Sequence, residues 1–239
     1  HRRDPKSNEA ALKYFLYGAW ASGVMIYGMS LLYGLGGATN LQVLGARLAG
    51  AAPSADIPLL VVEPTGGALL TSPLAALALL LILAGLGYKI AMAPFQAWCP
   101  DVYEGAPTPV TAFFATAPKV AAMALIGRLT WDAFGTIPSQ WAQVLAALSV
   151  ISMFVGAVAA IGQKDIKRLM AYSSIAHMGF ALMGLASGTA FGVQSMLIYM
   201  AIYVTMNVGT FAFILSLAKA GQPVTDIASL NQLAKRQPG

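Results

Sequence analysis

Two residue types are nearly missing from this 239-residue chain, and each absence removes a group of functions. Cysteine occurs once, at Cys99, so no internal disulfide can form. Histidine occurs only at His1 and His177. That set cannot ligate zinc, haem or an iron–sulfur cluster, so no metal site is expected and any electron transfer must take place in another chain. Charge is also scarce: Asp, Glu, Lys and Arg make up 10% of the residues, against roughly 25% in soluble domains. The net charge is +5, but the basic residues lie in short loops between apolar runs and form no continuous patch, which argues against nucleic acid. The sequence shows no signal peptide, low-complexity tract or solenoid-length repeat. It starts at His1 without a methionine and ends on Gln237, Pro238 and Gly239 just past a predicted helix, so it is expected to be a segment of a longer protein.

What the chain has in excess is apolar residues, 58% of the total, with a mean hydropathy of +0.69. Apolar runs of about 20 residues cross roughly 30 Å of hydrocarbon as helices. Six such spans are predicted: from about Ala10 to Tyr33, from Pro73 through Pro94 to about Trp98, from Thr108 to Leu129, from Ser139 to Ile161, from Leu169 to Ala186, and from Gly192 to Leu217. The fold class is therefore all-α, a polytopic transmembrane helix bundle forming a single membrane domain over residues 1–239. Ser7, followed by Asn8 and Glu9, is the expected start signal of the first helix. Residues 35–72 hold Gly36, Gly37, Pro53, Pro58, Pro64, Gly66 and Gly67, the composition of an extramembrane loop. Its runs LQVLG and PLLVVE are candidates for a small hairpin. The fourth span has no ionisable residue and reads as scaffold.

The chemistry is concentrated between Gly85 and Arg128. Lys89 lies in an apolar run that Pro94 interrupts, and Lys119 directly follows Pro118 in the middle of the next run. A charge at membrane depth is expensive and marks an ion or proton path by default. A proline within a helix releases the carbonyl four residues earlier, here Ile90 and Phe114, and broken backbone in a membrane survives only beside protein or a wet cavity. Lys89 is thus expected to face a polar cavity at a discontinuous helix, and Lys119 has no route to the headgroups. The alternative for Lys89 is a structural lysine satisfied by the freed carbonyls. His177, near mid-depth in the fifth span, is either a relay residue that titrates near neutrality or a packing residue hydrogen-bonded to Ser173 or Ser174. Lys13 lies near the start of the first span, where its side chain can reach the headgroups. Tyr199, Tyr203 and Asn207 read as helix–helix hydrogen-bonding groups, and Asp101 and Glu104 as residues that order the short loop after the break.

Six spans leave both ends on one side of the membrane. Arg2, Arg3, Lys6, Lys13, Lys164, Lys167, Arg168, Lys219, Lys235 and Arg236 are assigned to that side, and only Arg47 and Arg128 to the other. Short loops rich in lysine and arginine stay in the cytoplasm, so both ends are expected there.

The stretches EAALKYF, GLGYK, PDVYEGAPTPVTAFFATAPK and IKRLMAYSSIAHMGF, in this order, resemble the antiporter-like subunit N family of bacterial NADH-quinone oxidoreductase, respiratory complex I, the counterpart of mitochondrial NADH dehydrogenase subunit 2. The resemblance covers nearly the whole chain apart from residues 35–72. It implies a fourteen-span fold with two inverted five-helix repeats, each with a broken helix, of which this segment holds spans six to eleven. It also implies a bacterial inner-membrane location and proton translocation coupled to quinone reduction, with Lys89 as the broken-helix lysine, Lys119 as the lysine of the next span, Lys13 as the early lysine and His177 as the relay histidine. No cofactor is implied in this chain; NADH, FMN, iron–sulfur clusters and quinone belong to partner subunits. The implied partners are the antiporter-like subunit M, the small membrane subunits beside it and the lipid bilayer. Gln96 stands where the family often has a histidine after the broken-helix proline. The family's upstream glutamate and downstream broken-helix lysine are absent from this segment. Two other function classes stay open, a cation/proton antiporter subunit without a redox partner and a membrane scaffold.

Overall fold

The computed structural model describes residues 4–50, 72–219 and 222–231. Among these, six helices are long and apolar enough to cross a membrane. Helix α1 (Pro5–Gly36) starts earlier than expected, with Asp4 as its cap: the Asp4 carboxylate accepts the Lys6 N–H, and Pro5 takes the first helical position. Proline is suited to that place because its missing N–H has no partner in the first turn. The run LQVLG is not a strand but the start of a short helix, α2 (Leu41–Leu48), capped by the Asn40 side chain. The PLLVVE run lies outside the described residues.

Helix α3 (Pro73–Ile90) ends sooner than the sequence suggested. Pro94 therefore does not interrupt a continuing helix; the helix has already stopped at Ala91, which adopts a left-handed conformation with φ 59°. A non-helical stretch leads into a short helix, α4 (Cys99–Gly105). Helix α5 (Thr108–Arg128) runs through Pro118 without interruption and passes into a π-turn over Leu129–Ala133. Helices α6 (Pro138–Ile161), α7 (Ile166–Ala186) and α8 (Ala190–Ser216) complete the bundle.

α1 and α3 run antiparallel, and α4 continues the same direction along α1. Gly28 meets Ala78 and Ile82, Gly85 meets Ala21 and Met25, and Gly105 meets Lys6 and Ala10. The broken helix thus runs along α1 almost to its start. On the other flank α6 and α7 pack closely because Gly156 has no side chain; a Cβ there would lie 2.6 Å from the Ala176 nitrogen and 2.7 Å from the Tyr172 oxygen. Small residues permit such backbone approach between membrane helices, where packing supplies the association energy.

Both described ends lie at the same end of the bundle. Thr225 accepts the Ile166 N–H and Ile227 donates to the Lys164 oxygen, while Lys6 pairs with Glu104. α2 packs on the π-turn at the opposite end, where the Arg47 guanidinium donates to the Gly36 and Gly37 carbonyls that close α1.

Candidate functional site

The break between α3 and α4 is held by protein. Ala91 N–H bonds back to the carbonyls of Gly87 and Tyr88, and Met92 N–H to that of Gly87. The Trp98 indole donates to the Tyr88 carbonyl at 2.9 Å, and the Ala93 N–H donates to the Ser152 hydroxyl of α6 at 2.9 Å. In hydrocarbon each of these groups would cost several kcal/mol if left unpaired. α6 is therefore more than scaffold. Sequence reading missed Ser152 because a serine in an apolar run has the same composition signal whether it bonds within its own helix or to another.

Lys89 sits in the last turn of α3 and is half-buried. It borders a cavity of about 330 Å³ lined by Tyr14, Ser22, Tyr88, Trp98, Phe114 and Pro118, among others. The walls are largely aromatic, with polar atoms from Ser22 and the tyrosines, so the cavity is less polar than expected.

Lys119 is fully buried, with 0% of its surface exposed. Pro118, just before it, lines the Lys89 cavity from α5, and the Lys119 amine is directed to α7 and α4. It donates to the Ser174 hydroxyl of α7, and lies 5.5 Å from the centre of the Tyr103 ring of α4, a cation–π distance. Ser174 in turn bonds to the Tyr203 hydroxyl of α8 at 2.5 Å, and Tyr203 donates to the Ala115 carbonyl of α5 at 3.1 Å. Four helices thus converge on one amine. Sequence spacing offered Ser174 as a partner of His177; in the fold it serves Lys119, and His177 Nδ1 pairs with the Tyr199 hydroxyl at 2.6 Å. The His177 ring also lies 5.5 Å from that of Tyr203.

Lys13 is held by two carboxylates. Its amine is 2.6 Å from Asp101 of α4 and 2.6 Å from Glu9 one turn earlier. Arg168 of α7, which the sequence offered only as a loop charge, donates to Asp101 at 2.7 Å and to Glu104 at 3.1 Å. Asp101 and Glu104 do order the segment after the break, by tying α4 to both neighbours. Burial would raise the Asp101 carboxyl, but hydrogen bonds from Lys13 and Arg168 outweigh it and hold it below its ordinary value. Glu104 is lowered against the same burial effect by Lys6 and Arg168. Beside them the Lys167 amine is buried and donates to the Ala106 carbonyl at 2.9 Å.

No group of three or more potential metal ligands occurs among the described residues.

A broken helix followed by a helix with a fully buried central lysine is an antiporter-like membrane architecture, and the comparisons with known proteins agree. The chain belongs to the NADH:quinone oxidoreductase/Mrp antiporter transmembrane family, whose model matches residues 1–239. It is similar to NADH-quinone oxidoreductase subunit N of Rhodobacter capsulatus, at 56% identity over 239 residues, covering 99% of this chain and 46% of that protein. It is likewise similar to subunit N of Rhodospirillum rubrum, at 48% identity over 237 residues, 99% of this chain and 45% of that protein. Respiratory complex I from Thermus thermophilus with bound aureothin contains a chain that superposes with a TM-score of 0.74 at 38% identity, covering 99% of this chain and 46% of that one. A chain of the Mrp complex from a Dietzia species shares the fold, with a TM-score of 0.69 at 22% identity over 87% of this chain and 35% of that one. The resemblance read from the motifs is thus borne out. The chain spans about half the length of the relatives it matches.

Proposed function

We propose that this chain is part of a proton-translocating membrane subunit of an NADH-quinone oxidoreductase, carrying no redox centre of its own and responding to quinone reduction in partner subunits. The surroundings of Lys119 are the observation that carries this reading. Its amine is completely enclosed, makes its hydrogen bond to a hydroxyl, and has no carboxylate in ion-pair contact among the described residues. An ammonium so placed has no counter-ion to hold it charged, and an intramembrane ionisable group of this kind belongs to an ion path. The names of the relatives contain NADH and quinone; in this reading NADH, FMN, iron–sulfur clusters and quinone are bound in partner subunits, and other membrane subunits lie beside this one.

In this reading Lys13, Lys89, Lys119 and His177 are members of one lateral path. Tyr14, next to Lys13 in sequence, lines the Lys89 cavity together with Pro118, which precedes Lys119. Lys119 reaches Tyr203 of α8 through Ser174, and His177 bonds directly to Tyr199 of the same helix. Ordered water can bridge gaps too long for a direct hydrogen bond. The membrane is the bacterial inner membrane, and the described end of the bundle that carries Lys6, Lys167 and Arg168 faces the cytoplasm.

The test is proton flux measured together with NADH-driven quinone reduction in vesicles containing the assembled complex. Lys119→Gln and Lys119→Arg should both lower the proton-to-electron ratio, because glutamine carries no titratable proton and arginine is effectively never deprotonated. Wild-type ratios in both variants would refute the proposal. Sodium-dependent flux without NADH oxidation would assign the chain to an antiporter instead.

A further inference from the structure

The hydroxyl groups beside Lys119 can be ordered by counting protons. Tyr203 has one hydroxyl proton, and its contact with the Ala115 carbonyl uses it, since a carbonyl can only accept. The bond between Ser174 and Tyr203 must then run from the Ser174 hydroxyl to the Tyr203 oxygen. With its only proton committed, Ser174 can meet Lys119 solely as an acceptor. All three contacts are satisfied in this one direction: Lys119 to Ser174, Ser174 to Tyr203, Tyr203 to Ala115. Reversing the chain, so that Ser174 donates to an uncharged amine, abandons the bond to Ala115.

We propose that Tyr203 is a positioning residue for Lys119: by anchoring its hydroxyl on the Ala115 carbonyl, it holds the Ser174 hydroxyl turned away from the amine and so biases Lys119 toward holding its proton. The inference rests on the assignment of Lys119 to a proton path. Tyr203 is well placed for the task, being 1% exposed and wedged between α5 and α7. On the same helix the Asn207 amide donates to the Tyr203 backbone carbonyl at 2.9 Å.

The other titratable groups facing this amine are Cys99 and Tyr103 from α4 and His177 from α7. Lys89, on α3, borders the cavity that Pro118 lines from α5. Of these, Tyr103 reaches Ser174, where its hydroxyl can only donate because the Ser174 proton is committed to Tyr203, so the direction of the three-bond chain is kept.

The assay is the pH profile of proton pumping by the assembled complex in vesicles, with Tyr203→Phe, Ser174→Ala and the double variant compared with wild type. Phenylalanine keeps the ring and removes the anchor, freeing Ser174 to turn its proton toward an uncharged amine. Loss of one hydrogen bond's bias should move the profile toward acid by roughly half to one pH unit. Because Tyr203 acts through Ser174, the double variant should show the same profile as Ser174→Ala. A residue that only packs the helices would lower activity at every pH without moving the profile, and its effect would add to that of Ser174→Ala. An unmoved profile in Tyr203→Phe, or additive effects, overturns the inference. Lys119→Gln is the separate control: if that variant pumps normally, the proton path itself is wrongly assigned, whatever Tyr203→Phe does.

Discussion

Lys13 on the first helix and Asp101 on the half-helix after the break are 88 residues apart in sequence and 2.6 Å apart in the fold. That contact, with Arg168 on the other side of Asp101, fastens α4 to α1 and α7. α4 also carries Tyr103, whose ring covers the Lys119 amine, and Cys99, which is buried in its first turn. The half-helix therefore joins the charged end of the bundle to the enclosed lysine.

Loosening that attachment should expose Cys99. Burial pushes its thiol up and shields it, so labelling by a maleimide at pH 7 should be slow in the wild-type chain. In Asp101→Asn the pairs with Lys13 and Arg168 are lost, and the labelling rate should rise several-fold. An unchanged rate would show that the apolar contacts of α4 suffice to hold it.

The same carboxylate sets a pH dependence. Its folded-state proton affinity is lowered relative to the ordinary aspartate value near 3.9. Such a group stabilises the fold above that value and loses its contribution only as pH falls through the still lower folded one. Thermal stability attributable to Asp101, measured as the difference between wild type and Asp101→Asn in nanodiscs, should therefore be flat from neutral pH down to about 5 and vanish in stronger acid. A difference that grows on acidification would contradict the assignment.

Gly156 tests the packing of α6 on α7. Alanine there places a methyl group against backbone atoms of Tyr172 and Ala176 that cannot move aside. Overpacking of this kind costs about 1–3 kcal/mol. Unfolding of the purified protein in detergent should show that loss, whereas Gly23→Ala, where the new carbon meets nothing within 4 Å beyond its chain neighbours and its own helix backbone, should show none.

His177 should tolerate glutamine better than phenylalanine. The glutamine carbonyl can still accept from the Tyr199 hydroxyl, while phenylalanine leaves it without its partner. Pumping rates in vesicles should fall in the order wild type, His177→Gln, His177→Phe. Equal rates in all three would place His177 outside the path.

Orientation can be read by impermeant thiol labelling of intact cells. Gln42, exposed on α2, should label as cysteine from outside, and Ser7, partly exposed at the start of α1, should not. The opposite pattern would reverse the bundle in the membrane.

Spans, breaks and buried charges were legible without any coordinates, because membrane insertion depends on local sums: some twenty apolar residues make a span, and a lysine among them stands out whatever its neighbours. The six spans, the discontinuity after Lys89 and the central place of Lys119 follow from that rule. Helix ends were less legible. Asp4 displaced Ser7 as the first cap, and α3 stopped at Ala91 rather than at Pro94, since both depend on which backbone conformation the surroundings support. Pairing was not legible at all. The sequence by itself determined a membrane bundle with lysines at depth, through composition and run length. Only the tertiary structure decided that Ser174 serves Lys119, that Arg168 and Lys13 share Asp101, and that Ser152 holds the break, because a hydrogen bond or ion pair between helices depends on how they are rotated and set against each other, which no single run of residues encodes.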